Sequence, residues 1–167
     1  MGQFIIRNAR AEDAEALIAM QQQLDTETKN MMYEPGERPA DWWVLAHQLE
    51  RLEEEGSAMF LAFDGEQLVG FLKAERGAPR RIAHSAYLTI GLLACARGKG
   101  LGTALFQMLE EWAQGAGLTR LELIVRRDND IAIRLYQKFG FEIEGIKPRA
   151  LFVDGAYVDE YLMGRLL

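Results

Sequence analysis

The sequence predicts a single α/β (α+β) domain covering residues 1–167, and three observations carry that expectation. Strand-like and helix-like periodicities interleave along the whole chain. Residues 59–74 have the pattern of a hairpin, two apolar runs around an Asp64-Gly65 turn. Residues 87–112 read as strand, glycine loop and helix, a unit that leads into a parallel neighbour.

The elements follow in order. Residues 4–7 form a short first strand. From Ala11 the apolar positions Ala14, Leu17, Ile18 and Leu24 recur at helical spacing, with Glu12 and Asp13 in the first turn, where a helix dipole favours acids. Residues 33–39 break regularity with two prolines and a glycine. Trp42, Leu45, Ala46, Leu49 and Leu52 predict a second amphipathic helix that runs out at Glu53, Glu54, Glu55 and Gly56. The hairpin comes next, and strand character resumes at His84. Residues 87–93 are nearly all apolar, as in a strand buried on both faces. Leu101, Leu105, Met108 and Trp112 mark a third helix. Leu121, Leu123 and Val125 alternate with Glu122 and Ile124 as a strand, and residues 130–139 form a short helix closed by Gly140, with Ile131, Leu135 and Phe139 as an apolar stripe beside the face of Ala132 and Tyr136.

Composition bounds the function. A chain of 167 residues buries roughly 70% of its extended surface on folding, enough for a real core. Hydrophobic residues make up 49% and charged residues 26%, which excludes disordered and collagen-like classes. A net charge of -6 argues against a nucleic-acid partner, because phosphate binding needs a basic face. No apolar run is long enough to span a membrane. Cys95 is the single cysteine and cannot form an internal disulfide, and no signal-peptide pattern opens the chain, so a reducing cytoplasm is the expected setting.

The stretch ARGKGLGTA at residues 96–104 places three glycines and two cations before a helix. A helix N-terminus leaves several N–H groups without partners, and glycines let an anion approach the backbone closely. Arg97 and Lys99 add charge to such a cradle. A tight strand-to-helix turn would also need glycines for steric reasons alone. The loop lacks the ending of a P-loop, and Arg97 stands where a dinucleotide fingerprint has its first glycine, so a pyrophosphate in another cofactor is indicated.

Two blocks then resemble one family. Arg97-x-x-Gly100-x-Gly102 is similar to the Gln/Arg-x-x-Gly-x-Gly/Ala motif of the GNAT superfamily, the acetyl-CoA-dependent N-acetyltransferases. Residues 129–141, NDIAIRLYQKFGF, resemble its second block, with Asn129, Ala132, Tyr136, Lys138, Gly140 and Phe141 at the usual spacing. The resemblance runs from the first strand to residues 153–163, an ending similar to members that acetylate amino acids, antibiotics such as phosphinothricin, or protein N-termini. It implies one mixed, mostly antiparallel sheet of about seven strands, splayed at the cofactor site, with helices on both faces.

The resemblance also implies a site. The strand before the glycine loop is bulged in this family and splays from its neighbour, and pantetheine adds to it like another strand. Backbone groups of Ile90 and Leu92 would hold the pantetheine amides. The amides of Gly98, Lys99, Gly100, Leu101, Gly102 and Thr103, with Arg97, would hold the pyrophosphate. A backbone N–H at the bulge would polarise the thioester carbonyl. Asn129 would bind the pantetheine arm, and Tyr136 would reach the thioester sulfur from the helix face it shares with Ala132; Lys138 belongs to the same cofactor-binding block. No metal is expected.

Acetyl transfer requires an amine to lose a proton, attack the carbonyl and expel a thiolate. Tyr136 is the candidate for the last step. With a phenol near 10 and a thiol near 8.5, full proton transfer is uphill by roughly 2 kcal/mol, so hydrogen bonding to the developing sulfur charge comes first. The base is open between His84, Glu37 and a water, since residues 84–93 contain none of the strand carboxylates common in the family. Nothing marks Cys95 as an activated thiol. Residues 30–43 combine methionines, aromatics and carboxylates and would wall the acceptor site, with Glu34 or Glu37 attracting a cationic amine. A small-molecule amine or amino acid is the preferred acceptor, and a protein N-terminus is second. A non-catalytic acyl-CoA sensor on the same fold is the competing class. A homodimer is a candidate assembly.

Overall fold

A computed structural model describes residues 4–167. The order of elements is β1 (Ile5–Asn8), α1 (Ala14–Glu27), α2 (Trp42–Arg51), β2 (Ala58–Asp64), β3 (Gln67–Arg76), β4 (Ser85–Leu92), α3 (Leu101–Gly115), β5 (Arg120–Arg126), α4 (Asp130–Lys138), β6 (Glu142–Val153) and β7 (Ala156–Leu166). The seven strands form one sheet in the order β1-β2-β3-β4-β5-β7-β6. Every neighbouring pair is antiparallel except β4 and β5, which are joined by the α3 crossover.

The helices cover both faces, as the added side chains at two glycines would reveal. A Cβ at Gly91 would strike Leu24 of α1, whereas one at Gly70 would strike Leu92 and approach Leu101 of α3. Side chains alternate along a strand, so odd-numbered residues of β4 face α1 and even-numbered ones face α3. Leu17, Leu24 and Leu49 close the first face, while Leu101, Leu105, Phe106 and Leu109 close the second over Leu72, Leu88, Leu121 and Leu123. Apolar burial of this extent is the main favourable term for the fold.

Several local expectations shift. The hairpin turn consists of Gly65 and Glu66, because Asp64 still pairs with Gln67; Gly65 takes the positive φ of 61° that the turn demands. Trp42 is 46% exposed and meets Trp43 edge-on at 6.0 Å, so the core stripe of α2 rests on Leu49 with partial cover from Leu45 and Ala46. Ile131 is 78% exposed, and α4 is anchored by Ile133 and Tyr136 instead. The long β6–β7 hairpin turns at Asp154 and Gly155, both with positive φ.

Candidate active site

The parallel contact between β4 and β5 is brief. Ser85, Ala86 and Tyr87 pair with Arg120, Leu121 and Glu122, and beyond that point the strands part. Leu93 donates its N–H to the Val69 carbonyl at 2.9 Å, and the Ser85 carbonyl accepts from Gly77 at 3.0 Å. Odd residues of β4 therefore bond to β3 and even ones turn toward β5; past the last rung at Tyr87↔Glu122, which engages the Leu88 N–H, and with the Leu92 carbonyl taken by Arg97, both backbone groups of Ile90 and the Leu92 N–H face the gap. The register of β3 on β4 is continuous from Arg76↔Ala86 to Gly70↔Leu92. The bulge expected in β4 is thus absent from that pairing; the irregularity lies between β2 and β3, at Ala62 and Phe63. The gap needs no bulge, because α3 draws the end of β4 away while β5 follows β7 for its full length.

A cavity of about 540 Å³ fills this gap and passes through the sheet. Tyr87 and Thr89 line it from the α1 side, and Leu88, Ile90, Asn129 and Tyr136 from the α3 and α4 side. Its lining thus comes from both faces of the sheet, an arrangement suited to holding two substrates side by side.

Behind β4 stands the glycine loop. Gly98 and Gly100 have φ of 70° and 80°, with open space where a side chain would be. Ala104 is bonded to the Gly100 carbonyl at 3.1 Å, so the amides of Leu101, Gly102 and Thr103 precede the first helical partner and remain available. Leu101 and Gly102 are buried, and a Cβ on Gly102 would come within 2.9 Å of Leu135, so Gly102 also permits α3 and α4 to pack closely. Arg97 donates to the Leu92 carbonyl at 3.0 Å, and Glu27 accepts from the Ala94 amide at 2.7 Å, which fixes the strand-to-loop corner. That amide and Gln23 hold the Glu27 carboxyl below the usual range. Lys138 lies 3.5 Å from the Thr103 hydroxyl, at the mouth of the same cradle.

Asn129 caps α4, its side-chain oxygen accepting from the Ala132 amide at 3.3 Å. Tyr136 is seated in an aromatic cluster, with ring centroids 5.7 Å from Phe106 and 6.2 Å from Phe141. It is 7% exposed, yet among the described residues no fully buried side-chain N or O lacks a partner. Its hydroxyl, which has no such partner, must therefore open onto the cavity it lines. Burial, reinforced by Tyr87, pushes the Tyr136 phenol well up. It stays a neutral donor at physiological pH.

The two candidate bases are not brought to this point. His84 is exposed just before β4 and lines a second hollow with Arg76, Gly77, Ile82 and Arg120, which meets the cavity only at Glu75 and Tyr87. Glu37 turns back on its own loop, accepting from the Glu34 amide at 2.8 Å, and does not line the cavity. Met31, Met32, Tyr33 and Arg38 of that loop line the cavity, whereas Glu34, Trp42 and Trp43 do not. Tyr87, Lys73, Glu75, Lys147 and Glu160 are lining residues that sequence reading missed. Tyr87 left a trace, being the bulky polar side chain in an apolar strand; its phenol is raised by burial and by the charges of Glu160 and Glu122. Among the described residues no three His, Cys, Asp or Glu side chains converge to hold a metal ion. No helix among them is long and apolar enough to cross a membrane.

Comparison with known proteins agrees with this geometry. Residues 19–141 match the model of the Acetyltransferase (GNAT) family. The chain belongs to the GNAT acetyltransferase family. It is 31% identical over 169 residues to the L-amino acid N-acetyltransferase AaaT of Escherichia coli K12, covering 99% of both chains. This GNAT acetyltransferase also superposes on the crystal structure of a GNAT-family acetyltransferase from Streptococcus pneumoniae with a TM-score of 0.91, at 30% identity and 99% coverage of both chains. A phosphinothricin acetyltransferase from Sinorhizobium meliloti, solved in complex with acetyl-CoA, shares the fold with a TM-score of 0.86 at 24% identity, covering 100% of this chain and 89% of that one.

Proposed function

We propose that this enzyme moves an acetyl group from acetyl-CoA to the primary amine of a small molecule, an amino acid above all, by direct transfer with both substrates bound. The observation that carries the reading is the cavity through the parted β4–β5 gap, with free strand backbone on one side and the Tyr136 hydroxyl at its wall. Similarity over 99% of its length to an L-amino acid N-acetyltransferase supports the acceptor class.

The residues present fit the cofactor. The backbone N–H and C=O of Ile90, with the Leu92 N–H beside them, offer strand-like partners to the pantetheine amides, and the open glycines and free amides of residues 98–103 suit a diphosphate. Bound acetyl-CoA supplies the acetyl group as a thioester and leaves as the thiol. Asn129 orients the pantetheine arm from the start of α4. Arg97 and Lys99 contribute charge at the cradle, with Lys138 beside it. Tyr136 donates its hydroxyl to the sulfur as charge develops there; its raised phenol makes that hydrogen bond, rather than early proton transfer, its contribution. The acceptor ammonium gives one proton to water before attack and a second as the C–N bond forms, while sulfur gains one, so each turnover releases one proton.

Residues 28–41 roof the acceptor side. Lys29 pairs with Asp154 at the β6–β7 turn, Arg126 donates to the Lys29 carbonyl at 2.8 Å, and Arg38 is tied to Asp25. A roof fastened at both ends favours small acceptors over a protein N-terminus. Thiol release from acetyl-CoA across amino acids, small amines and peptides tests the reading. Faster turnover of peptides than of every small amine would replace it with N-terminal acetylation, and no turnover with any amine would favour an acyl-CoA sensor.

A further inference from the structure

Six charged side chains line the acceptor cavity: Arg38, Lys73, Glu75, Arg126, Lys147 and Glu160. Four are already engaged. Arg38 holds Asp25 through two bonds of 2.7 and 2.8 Å. Lys73 lies 3.1 Å from Glu75. Arg126 is gripped by Asp128 at 2.8 and 2.9 Å and donates its remaining arm to the Lys29 carbonyl. Lys147 and Glu160 remain, and neither makes a salt bridge among the described residues.

These two are direct partners across the β6–β7 ladder. Directly opposed residues in an antiparallel pair have Cβ atoms about 5 Å apart, so their charged ends are free to close on each other or to part around a third group. Here they do not close to 4.0 Å, although nothing else occupies either one. The other β-ladder neighbour of Glu160 is Arg126, whose guanidinium is turned to Asp128. Glu160 is partly buried and faces Tyr87, whose phenol its charge helps to raise. The cavity thus presents one unspent anion and one unspent cation on the same rung of the β6–β7 ladder, next to the β4–β5 gap. A ligand that matches both carries one positive and one negative group on a single carbon. A simple amine leaves the exposed Lys147 to water and forgoes its charge-assisted bond, and an acidic ligand leaves the half-buried Glu160 unmatched at a desolvation cost.

Building on the acetyltransferase reading above, we propose that Glu160 and Lys147 clamp the head group of an α-amino acid, Glu160 receiving the ammonium and Lys147 the carboxylate. The ammonium is then held on the Tyr87 side of the gap, facing the free edge of β4. The side chain of the acceptor lies under Met31, Met32 and Tyr33. This makes the pair specificity-determining residues on strands that hold no recognisable motif.

The test uses the full chain with L-phenylalanine, L-methionine and their amides, which keep the amine and lose the carboxylate charge. Lys147→Met is expected to raise KM about tenfold for the amino acids and to leave the amides unchanged, with kcat kept. Glu160→Gln is expected to raise KM for both series alike. Calorimetric titration of the same amino acids into protein saturated with CoA gives a readout independent of turnover, and Lys147→Met should weaken that binding by the same factor. If Lys147→Met affects acids and amides equally, or neither, while the wild type acetylates amines, the clamp is overturned and the activity reading stands. If the wild type acetylates no amine and binds no amino acid, both fall together.

Discussion

The Arg38 guanidinium grips the buried Asp25 carboxylate through two bonds of 2.7 and 2.8 Å, fastening the loop over the acceptor cavity to the last turns of α1. Arg38 also lies over the Tyr33 ring, 4.7 Å from its centroid, so one side chain ties down two parts of the cavity wall. Replacing Arg38 by methionine strands a buried carboxylate and is expected to cost about 3 kcal/mol in urea denaturation. The double variant Arg38→Met with Asp25→Leu should recover much of that loss, because an apolar pair has no stranded charge. If the single and double variants are equally unstable, the pair is not what holds the loop.

A second ion pair gives the fold an acid-sensitive corner. Asp13 accepts from Arg7 through two bonds of 2.7 Å and from the Arg10 amide, and these partners hold its carboxyl below the usual range. A carboxyl lowered in the folded state stabilises it above the ordinary value of about 3.9, and that contribution disappears as pH falls through the folded value. Asp13→Asn is expected to cost about 2 kcal/mol at neutral pH, Arg7 being partly exposed, and the gap to wild type should shrink in acid. A gap that is constant down to the acid unfolding transition would refute the assignment.

The glycine cradle calls for a gentle probe. Valine at Gly102 would collide with Leu135, so loss of cofactor binding there would be confounded with damage to α3–α4 packing. Gly98 faces open space at φ of 70°, a conformation aspartate and asparagine tolerate better than other side chains. Wild-type protein with acetyl-CoA at one hundred times its Kd should gain about 2.7 kcal/mol, seen as a higher Tm. Gly98→Asp should lose most of that gain through repulsion of the diphosphate, and Gly98→Asn should keep most of it. Equal shifts in the two variants would place the diphosphate elsewhere.

How much of this was legible in the chain depends on the range of the interactions. The glycine loop is a local feature, so its residues alone located it, and the fold class followed from interleaved periodicities; Asn129 was picked out only by the family block, and its capping of α4 emerges in the structure. The Asp64-Gly65 turn slipped by one residue because propensity does not fix register; cross-strand pairing of Asp64 with Gln67 does. Trp42 and Ile131 fit apolar stripes but face outward, since periodicity reports a helix face without saying where the cover ends. His84 and Glu37 were selected for chemistry alone, and their positions depend on where β4 begins and how residues 34–37 turn. Glu160 and Lys147 are thirteen positions apart, and only the β6–β7 register, with its irregularities, brings them opposite each other.

Tyr136 offers the most direct test of the chemistry. Its ring is fixed by Phe106 and Phe141, and its hydroxyl is the one polar atom that phenylalanine lacks, so Tyr136→Phe should keep both packing and acetyl-CoA affinity. The hydrogen bond to sulfur strengthens as charge develops, which concentrates its value in the transition state. Turnover is therefore expected to fall by roughly 10² to 10⁴, with the KM for acetyl-CoA nearly unchanged. Because burial raises the phenol well above the physiological range, ionisation of Tyr136 should leave no falling limb in the pH–rate profile near neutrality. Activity should instead rise with pH as the acceptor amine loses its proton, in wild type and variant alike. Single-turnover mixing of acetyl-CoA with excess acceptor isolates the chemical step. A variant as fast as wild type in that measurement would remove Tyr136 from the reaction and leave it a packing residue of α4.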